Sequence, residues 1–114
     1  MSGLNQFLRP VSPGPSPPLV ALAPMAGVTD IPFRRQVKRF GGNYCVSEMV
    51  GSDALSRARP DVARRAAGAG AISPLVIQLA GREAHWMGEG AKLAEQAGAD
   101  IIDINMGCPA KSVT

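Results

Sequence analysis

The sequence has few of the residues that build metal clusters and disulfide frameworks. Two cysteines, Cys45 and Cys108, and a single histidine, His85, occur in its 114 residues. The two cysteines are too few and too far apart for a metal cluster or a set of disulfide bonds. We therefore predict two free thiols in a reducing compartment and no bound metal ion.

Long apolar runs are also missing. No stretch approaches the roughly 20 apolar residues that a membrane-spanning helix needs. A small-residue stretch at 21–23 resembles a signal-peptide cleavage site, but the prolines and the glycine at 13–18 would break the apolar helix that must precede it. With 46% hydrophobic and 18% charged residues, the composition predicts a soluble cytoplasmic protein without a membrane partner.

The order of apolar runs and helical patterns predicts an α/β domain. Residues 1–18 are rich in proline and serine and lack periodicity, so we predict a flexible leader there and one domain over 19–114. Helical patterns then begin near Thr29 or Asp30 and near Glu83, and a weaker one breaks at Pro60. The helix that begins near Glu83 is expected to bury its apolar residues, which are Trp86, Met87, Leu93, Ala94 and Ala97. The predicted strands cover residues 19–23, 44–47, 74–79 and 101–104.

Strands that alternate with helices predict a parallel sheet. Two architectures share this pattern, an open doubly wound sheet and a (β/α)8 TIM barrel represented by about four βα units. The first strand-to-helix turn reads PMAGV at 24–28 and lacks the G-x-G-x-x-G phosphate fingerprint of dinucleotide-binding folds. This absence favours the N-terminal half of a TIM barrel, with its first strand buried on both faces.

Distinctive residues follow or close each predicted strand. The segment PMA at 24–26 follows the first strand and SEM at 47–49 follows the second. Gln78 closes the third strand, and residues 105–109 follow the fourth. In a parallel barrel these strand ends share one face, which is the catalytic face, so the four groups together predict a site there.

Each of these groups also has a purely structural interpretation. The segment 24–26 is either a tight turn or a surface on which a flat ring rests. Gln78 interrupts an apolar strand, and its amide needs partners that backbone groups or the edge of a heterocycle would supply. Glu48 is a solvated carboxylate, a partner of an arginine or a pocket residue. Asp103 is expected to hydrogen-bond its neighbours, whereas Asn105 is expected to orient a ligand.

Cys108 has three interpretations: a small buried hydrophobe, a nucleophile or a proton donor. A thiol with an ordinary pKa of about 8.5 is mostly protonated at neutral pH. A nucleophile would need a nearby base, and His85 is expected to face solvent on the third helix. The proton donor is therefore the simplest role. Cys45, in an apolar strand, is expected to be a core residue.

The net charge of +3 is unevenly distributed along the chain. Residues 31–65 carry eight basic and three acidic side chains, in clusters at 34–39 and 57–65. Basic helix faces bind phosphate backbones, but solvated outer faces of helices are the simpler explanation. The charge thus agrees with a nucleic-acid partner without establishing one.

Four segments taken together resemble the tRNA-dihydrouridine synthases, in particular their bacterial B-type branch. They read LAPMAGVTD at 22–30, SEM at 47–49, QLAG at 78–81 and DINMGCPAK at 103–111, and the resemblance covers about residues 19–114. It implies a flavin-dependent TIM barrel in which NADPH reduces bound FMN. The flavin then passes a hydride to C6 of a uracil in tRNA, and a cysteine protonates C5.

The resemblance also implies roles for individual residues. Cys108 matches the proton donor, and Asn105 matches the asparagine beside the substrate uracil. The family's later strands and its tRNA-binding helical domain have no counterpart here, so we expect an N-terminal fragment that is inactive alone. Three alternatives stay open: an FMN barrel that reduces a free pyrimidine or dihydroorotate-type substrate, a non-catalytic RNA-binding half-barrel, and a degenerate gene remnant without function. The residues that match FMN contacts are Pro24, Met25, Ala26 and Gln78.

Overall fold

The computed structural model describes residues 18–53 and 72–107. Residues 1–17 of the predicted leader and the helical pattern near Pro60 lie outside these ranges. Within them, no helix is both long and apolar enough to cross a membrane. The elements in chain order are β1 (Ala21–Leu22), α1 (Ile31–Arg39), β2 (Tyr44–Val46), β3 (Val50–Gly51), β4 (Leu75–Ala80), α2 (Ala84–Gln96) and β5 (Ile101–Asn105).

The described strands form one parallel sheet with β4 near its centre, which confirms the predicted α/β architecture. The first half of β4 pairs with β2, and its second half pairs with β3. Its other edge pairs with β5, while β1 pairs with β2 on the far side. β2 and β3 therefore occupy one position in the sheet, interrupted at residues 47–49, where the sequence predicts a single strand over 44–47. The strands lie side by side in their order along the chain.

The two faces of β4 have different roles. Leu75, Ile77 and Leu79 pack with Val50 and with Ala94 of α2 in the apolar core. Because side chains alternate along a strand, the intervening Gln78 lies on the opposite face. All six residues of β4 are buried, as the nearly continuous apolar sequence of a strand covered on both faces predicts.

Local sequence signals set both ends of α1. The carboxylate of Asp30 caps the helix by accepting a hydrogen bond of 2.9 Å from the backbone N–H of Phe33. Pro32 lies in the first turn, where its missing N–H has no intrahelical partner to lose. After the helix, Gly41 adopts a φ of 101° in the left-handed region. Of the two predicted caps, Asp30 is therefore the one used, and Thr29 has another role.

The apolar residues of α1 line a groove rather than the sheet core. Phe33 is 40% exposed and Phe40 is 85% exposed. Together with Val20 and Val37 they border a cavity of about 410 Å³ beside β1. The helical spacing of these residues thus marks a single apolar stripe, which the described residues leave partly uncovered.

Two burial predictions are wrong. The first strand is not buried on both faces, because Leu19 and Val20 are 52% and 57% exposed. β1 is the outermost strand of the described sheet and has only β2 as a partner. Ala97, predicted to lie in the core, is exposed because it caps the end of α2 beyond the last turn that packs on the sheet. Of the other apolar residues predicted to bury on α2, Ala94 is fully buried and Trp86, Met87 and Leu93 are half-buried.

Candidate functional site

Side chains from neighbouring strands meet at the carboxyl end of the sheet. Gln78 of β4 contacts both Asp103 and Asn105 of β5. In the next part of the sheet, the carboxylate of Glu48, after β2, accepts a hydrogen bond from the backbone N–H of Gly27, after β1. The residues that the sequence singles out in four separate segments are thus linked in pairs across adjacent strands.

Gln78, Asp103 and Asn105 form a hydrogen-bonded network. Nε2 of Gln78 donates to Oδ2 of Asp103 over 2.6 Å, and Nδ2 of Asn105 lies 3.4 Å from Oε1 of Gln78. A carboxylate only accepts hydrogen bonds, so Asp103 requires the NH₂ end of the Gln78 amide to face it. Gln78 is only 7% exposed, and a buried amide without partners would be destabilising. The prediction that Asp103 hydrogen-bonds its neighbours is confirmed.

Asn105 connects this network to the loop after β5. Its Oδ1 accepts a hydrogen bond of 2.9 Å from the backbone N–H of Gly107. Its Nδ2 also lies 3.5 Å from Sδ of Met49, which brings the segment after β2 into contact with β5. Asn105 therefore fixes the start of the loop that leads to Cys108. Cys108 itself lies outside the described residues.

A hydrogen-bonded frame holds the turn after β1. Oγ1 of the fully buried Thr29 accepts from the backbone N–H of Met25 over 3.0 Å and donates to the carbonyl of Met25 over 3.2 Å. The backbone N–H groups of Val28 and Thr29 donate to the same carbonyl, each over 3.0 Å. The backbone of Met25 is thus fixed while its side chain stays 41% exposed. Its neighbours Pro24 and Ala26 are half-buried and exposed, respectively.

Glu48 connects this turn to the second strand. Its partner, Gly27, has a φ of 74°, in the left-handed region that favours glycine. Glu48 is half-buried rather than solvated, and it acts electrostatically on Arg34, in partial agreement with a partner of an arginine, while a role in a pocket stays a prediction. Its carboxylate accepts a hydrogen bond from a backbone N–H of the neighbouring turn. The contact depends on two strands being adjacent and has no local signal in the sequence.

Ser47 fills the break between β2 and β3. Its Oγ accepts a hydrogen bond of 3.0 Å from the backbone N–H of Gln78 and donates to the carbonyl of Glu48 over 2.9 Å. The hydroxyl thus takes the place of a backbone acceptor where the regular pairing is interrupted. Ser47 is fully buried. The sequence singles out the segment at 47–49 but carries no signal that this hydroxyl supports the position of Gln78.

The structure corrects the interpretation of the basic cluster at 34–39. Arg35 and Arg39 are exposed, as a solvated helix face predicts, but Arg34 is only 1% exposed. Nε of Arg34 donates to the carbonyl of Thr29 over 3.1 Å. Burial lowers the pKa of Arg34, and the nearby Cys45, Glu48 and Asp30 oppose that shift. The position of Arg34 three residues before the half-buried Val37 is the signal that places it on the inner side of α1. The second cluster, at 57–65, lies outside the described residues.

Cys45 and His85 lie in the environments that the sequence predicts for them. Cys45 is fully buried, as predicted, and its Sγ lies 3.6 Å from the carbonyl oxygen of Arg34. Burial raises the pKa of the Cys45 thiol. His85 faces solvent, as predicted, and its ring packs edge-on against Trp86 with 4.9 Å between ring centroids. In the described ranges, no group of three or more His, Cys, Asp and Glu residues could hold a metal ion.

Comparison with known proteins assigns the chain to a family. Residues 21–114 match the family model described as dihydrouridine synthase. The chain belongs to the dihydrouridine synthase family. A probable tRNA-dihydrouridine synthase of Rhodobacter capsulatus is 58% identical over 98 residues, which are 85% of this chain and 30% of the relative. A probable tRNA-dihydrouridine synthase of Rhizobium leguminosarum bv. phaseoli is 57% identical over 94 residues, 82% of this chain and 29% of the relative.

Proteins named tRNA-dihydrouridine synthase B are also among the relatives of this chain. A tRNA-dihydrouridine synthase B of Pseudomonas putida is 53% identical over 93 residues, which are 81% of this chain and 27% of the relative. The family predicted from the four sequence motifs is therefore confirmed. The chain spans just under a third of the length of these curated relatives.

Proposed function

We propose that the protein reduces uridine to 5,6-dihydrouridine in tRNA, in the cytoplasm. The observation that carries this proposal is the network of Gln78, Asp103 and Asn105 at the carboxyl end of a parallel sheet, in a chain of the dihydrouridine synthase family. FMN held there would supply the hydride, with NADPH as its reductant. The names of the relatives specify tRNA, which favours this substrate over a free pyrimidine.

The described sheet is, in this proposal, the first half of a (β/α)8 barrel. Its strands lie in chain order, without the reversal of strand order at which open doubly wound sheets bind their ligands. The core and α2 cover one face of β4, and the amide of Gln78 lies on the other. In a barrel that other face is the interior, and its carboxyl end opens into the active site.

The residues present fit a flavin. Met25 offers a 41% exposed apolar side chain on a rigid turn, and the space at the α-carbon of Gly27 is open, with nothing within 4 Å of an added Cβ. A flat ring can therefore approach this backbone closely. The Gln78 amide keeps one N–H and one oxygen lone pair beyond the bonds to Asp103 and Asn105. Pro24, Met25, Ala26 and Gln78 would hold the cofactor in this way.

Asn105 is suited to orient the uracil. Its Oδ1 is held by the backbone of Gly107 at 2.9 Å, whereas its Nδ2 contacts Gln78 and Met49 at the longer distances of 3.4 and 3.5 Å. The 3.4 Å contact with the Gln78 oxygen exceeds the ordinary range of N–H···O bonds, which ends near 3.2 Å, and the Met49 thioether is a weak acceptor, so both contacts are weak and readily exchanged. The Nδ2 group is therefore available to donate to a uracil carbonyl without a loss of loop structure.

Cys108 protonates C5 of the uracil in this proposal. Cys108 directly follows Gly107 in the sequence, and the backbone N–H of Gly107 donates to Oδ1 of Asn105. The proposed proton donor is therefore the residue next to one that is hydrogen-bonded to the proposed substrate-orienting residue. A thiol of ordinary pKa carries its proton at neutral pH, as a general acid must. Because the chain spans just under a third of its relatives' length, we propose that these 114 residues form no dihydrouridine alone.

The test is the formation of dihydrouridine in unmodified tRNA by the full-length protein with FMN and NADPH. We expect Cys108→Ala to lower the rate by about 10²–10⁴-fold, the contribution of a general acid, while FMN stays bound. The matched control is Cys45→Ala, since that thiol is fully buried and lies against the carbonyl of Arg34, and it should keep the activity. Full activity of Cys108→Ala would contradict the assigned role, and turnover of free pyrimidines but not of tRNA would favour the alternative flavin barrel.

A further inference from the structure

Arg34 occupies a position that is unfavourable for its charge. Its side chain is 1% exposed, and Nη1 is buried with no hydrogen-bond partner in the described part of the chain. A charged group taken out of water is destabilising unless it is paired and hydrogen-bonded. The carboxylates that act on it electrostatically, Glu48 and Asp30, each bind a backbone N–H of another residue, Gly27 and Phe33. The unfavourable burial of the Arg34 charge must therefore be offset by something else that this side chain does.

The polar contacts of Arg34 are directed at the end of the turn after β1. Nε donates to the carbonyl of Thr29 over 3.1 Å and approaches the carbonyl of Asp30 at 3.4 Å. The backbone N–H of Arg34 also donates to the carbonyl of Asp30, over 3.0 Å. Main chain and side chain of one residue thus fix the point where the turn enters α1.

Thr29 transmits this constraint to the exposed part of the turn. Its backbone carbonyl is held by Arg34, and its hydroxyl exchanges two hydrogen bonds with the backbone of Met25. On the opposite side, Glu48 holds the N–H of Gly27. The segment at 25–27 is therefore fixed between two anchors, and one of them depends on Arg34.

We propose that Arg34 is a positioning residue that sets the shape of the turn at 25–29 and, through that turn, the affinity for the ligand the turn contacts. The inference rests on the proposed function, in which this ligand is FMN. A guanidinium suits the task because its Nε–H has a fixed direction in a planar group, whereas the ammonium of lysine is a rotating point charge. Arg34→Lys therefore keeps the charge and removes the directed bond to Thr29.

The experiment compares Arg34→Lys with Arg35→Lys, its exposed neighbour on α1, in the full-length protein. Amide hydrogen exchange is measured without ligand at Met25, Gly27 and Thr29, with Ile77 and Leu79 of β4 as the internal reference. The dissociation constant of FMN is measured from flavin fluorescence. For Arg34→Lys we expect at least tenfold faster exchange in the turn, unchanged exchange in β4 and at least tenfold weaker FMN binding. Arg35→Lys should change none of these quantities.

Other outcomes have definite meanings. Equal acceleration in the turn and in β4 would make Arg34 a residue of general stability and overturn the proposal, and so would unchanged exchange in the turn. If the unsubstituted protein does not bind FMN, the proposed function fails, while exchange in the ligand-free protein still decides whether Arg34 sets the turn. If Arg34→Lys does not fold, Thr29→Val is the second variant, because it removes the hydroxyl that bonds to the backbone of Met25. It should accelerate exchange at Met25 and weaken FMN binding, and no effect on either would overturn the proposal.

Discussion

Gln78 and Asp103 lie directly opposite each other on neighbouring parallel strands, and their side chains are joined by a hydrogen bond of 2.6 Å. Asp103 thereby fixes the orientation of an amide that we propose to contact the flavin. The register of β4 and β5, rather than any local motif, places the two residues together.

Asp103→Ala should destabilise the folded protein. The substitution leaves Nε2 of Gln78 without its acceptor in a site where Gln78 is 7% exposed, and an unsatisfied buried group costs about 1–3 kcal/mol. Asp103→Asn should cost less, because its side-chain oxygen still accepts from Nε2. Urea unfolding of the full-length protein measures both free energies, and FMN binding should weaken in the same order.

Glu89→Ala is the matched control for these carboxylate substitutions. Glu89 pairs with Lys92 at 3.5 Å on the solvent side of α2, where 43% of its side chain is exposed. Exposed pairs of this kind contribute about 0–1 kcal/mol, so we expect a smaller change than for Asp103→Ala. Equal losses for the two substitutions would show that the Gln78–Asp103 bond has no special importance for stability.

Gly27 and Gly88 form a second matched pair. A Cβ added at either position meets nothing within 4 Å, so space does not distinguish them. Gly27 has a φ of 74°, where a non-glycine residue costs about 1–2 kcal/mol. Gly88 lies inside α2, where alanine is favoured over glycine by about 0.5–1 kcal/mol. Thermal unfolding should therefore show Gly27→Ala destabilised and Gly88→Ala stabilised, and changes of the same sign would contradict the backbone argument.

Cys45 should make stability depend on pH in the alkaline range. Burial raises the pKa of its thiol above the ordinary value, so the unfolded chain loses this proton at a lower pH than the folded one. The part of the unfolding free energy that depends on the Cys45 proton is complete below the pKa of the thiol in the unfolded chain. It decreases as pH rises above that pKa. The unfolding free energy measured from pH 8 to 10 should therefore fall more steeply for the unsubstituted protein than for Cys45→Ala. Identical slopes would contradict the assignment, and native Cys45 should also react slowly with iodoacetamide.

The sequence predicts the elements of this fold better than it predicts their interruptions. The start of α1 follows from Asp30 and Pro32, and its end follows from Gly41, because caps and turns depend on neighbouring residues. The split between β2 and β3 could not be predicted. It depends on the hydroxyl of Ser47 binding the backbone of Gln78, 31 residues away along the chain.

The candidate site shows the same division. The motifs identify Gln78 and Asn105 as unusual residues, but their contact depends on the register between two strands. The charge pattern assigns Arg34 to a basic helix face, because a composition does not distinguish a buried arginine from a solvated one. Cys108 lies outside the described residues, and its role stays a prediction from the resemblance.

Alternation along β4 separates the apolar core from the side chain that we propose to contact the cofactor. Leu75, Ile77 and Leu79 belong to the apolar core, whereas Gln78 belongs to the polar network on the other face. Substitutions at positions 75, 77 and 79 can therefore change the resistance of the protein to heat while the face that we propose to contact the flavin keeps its side chains.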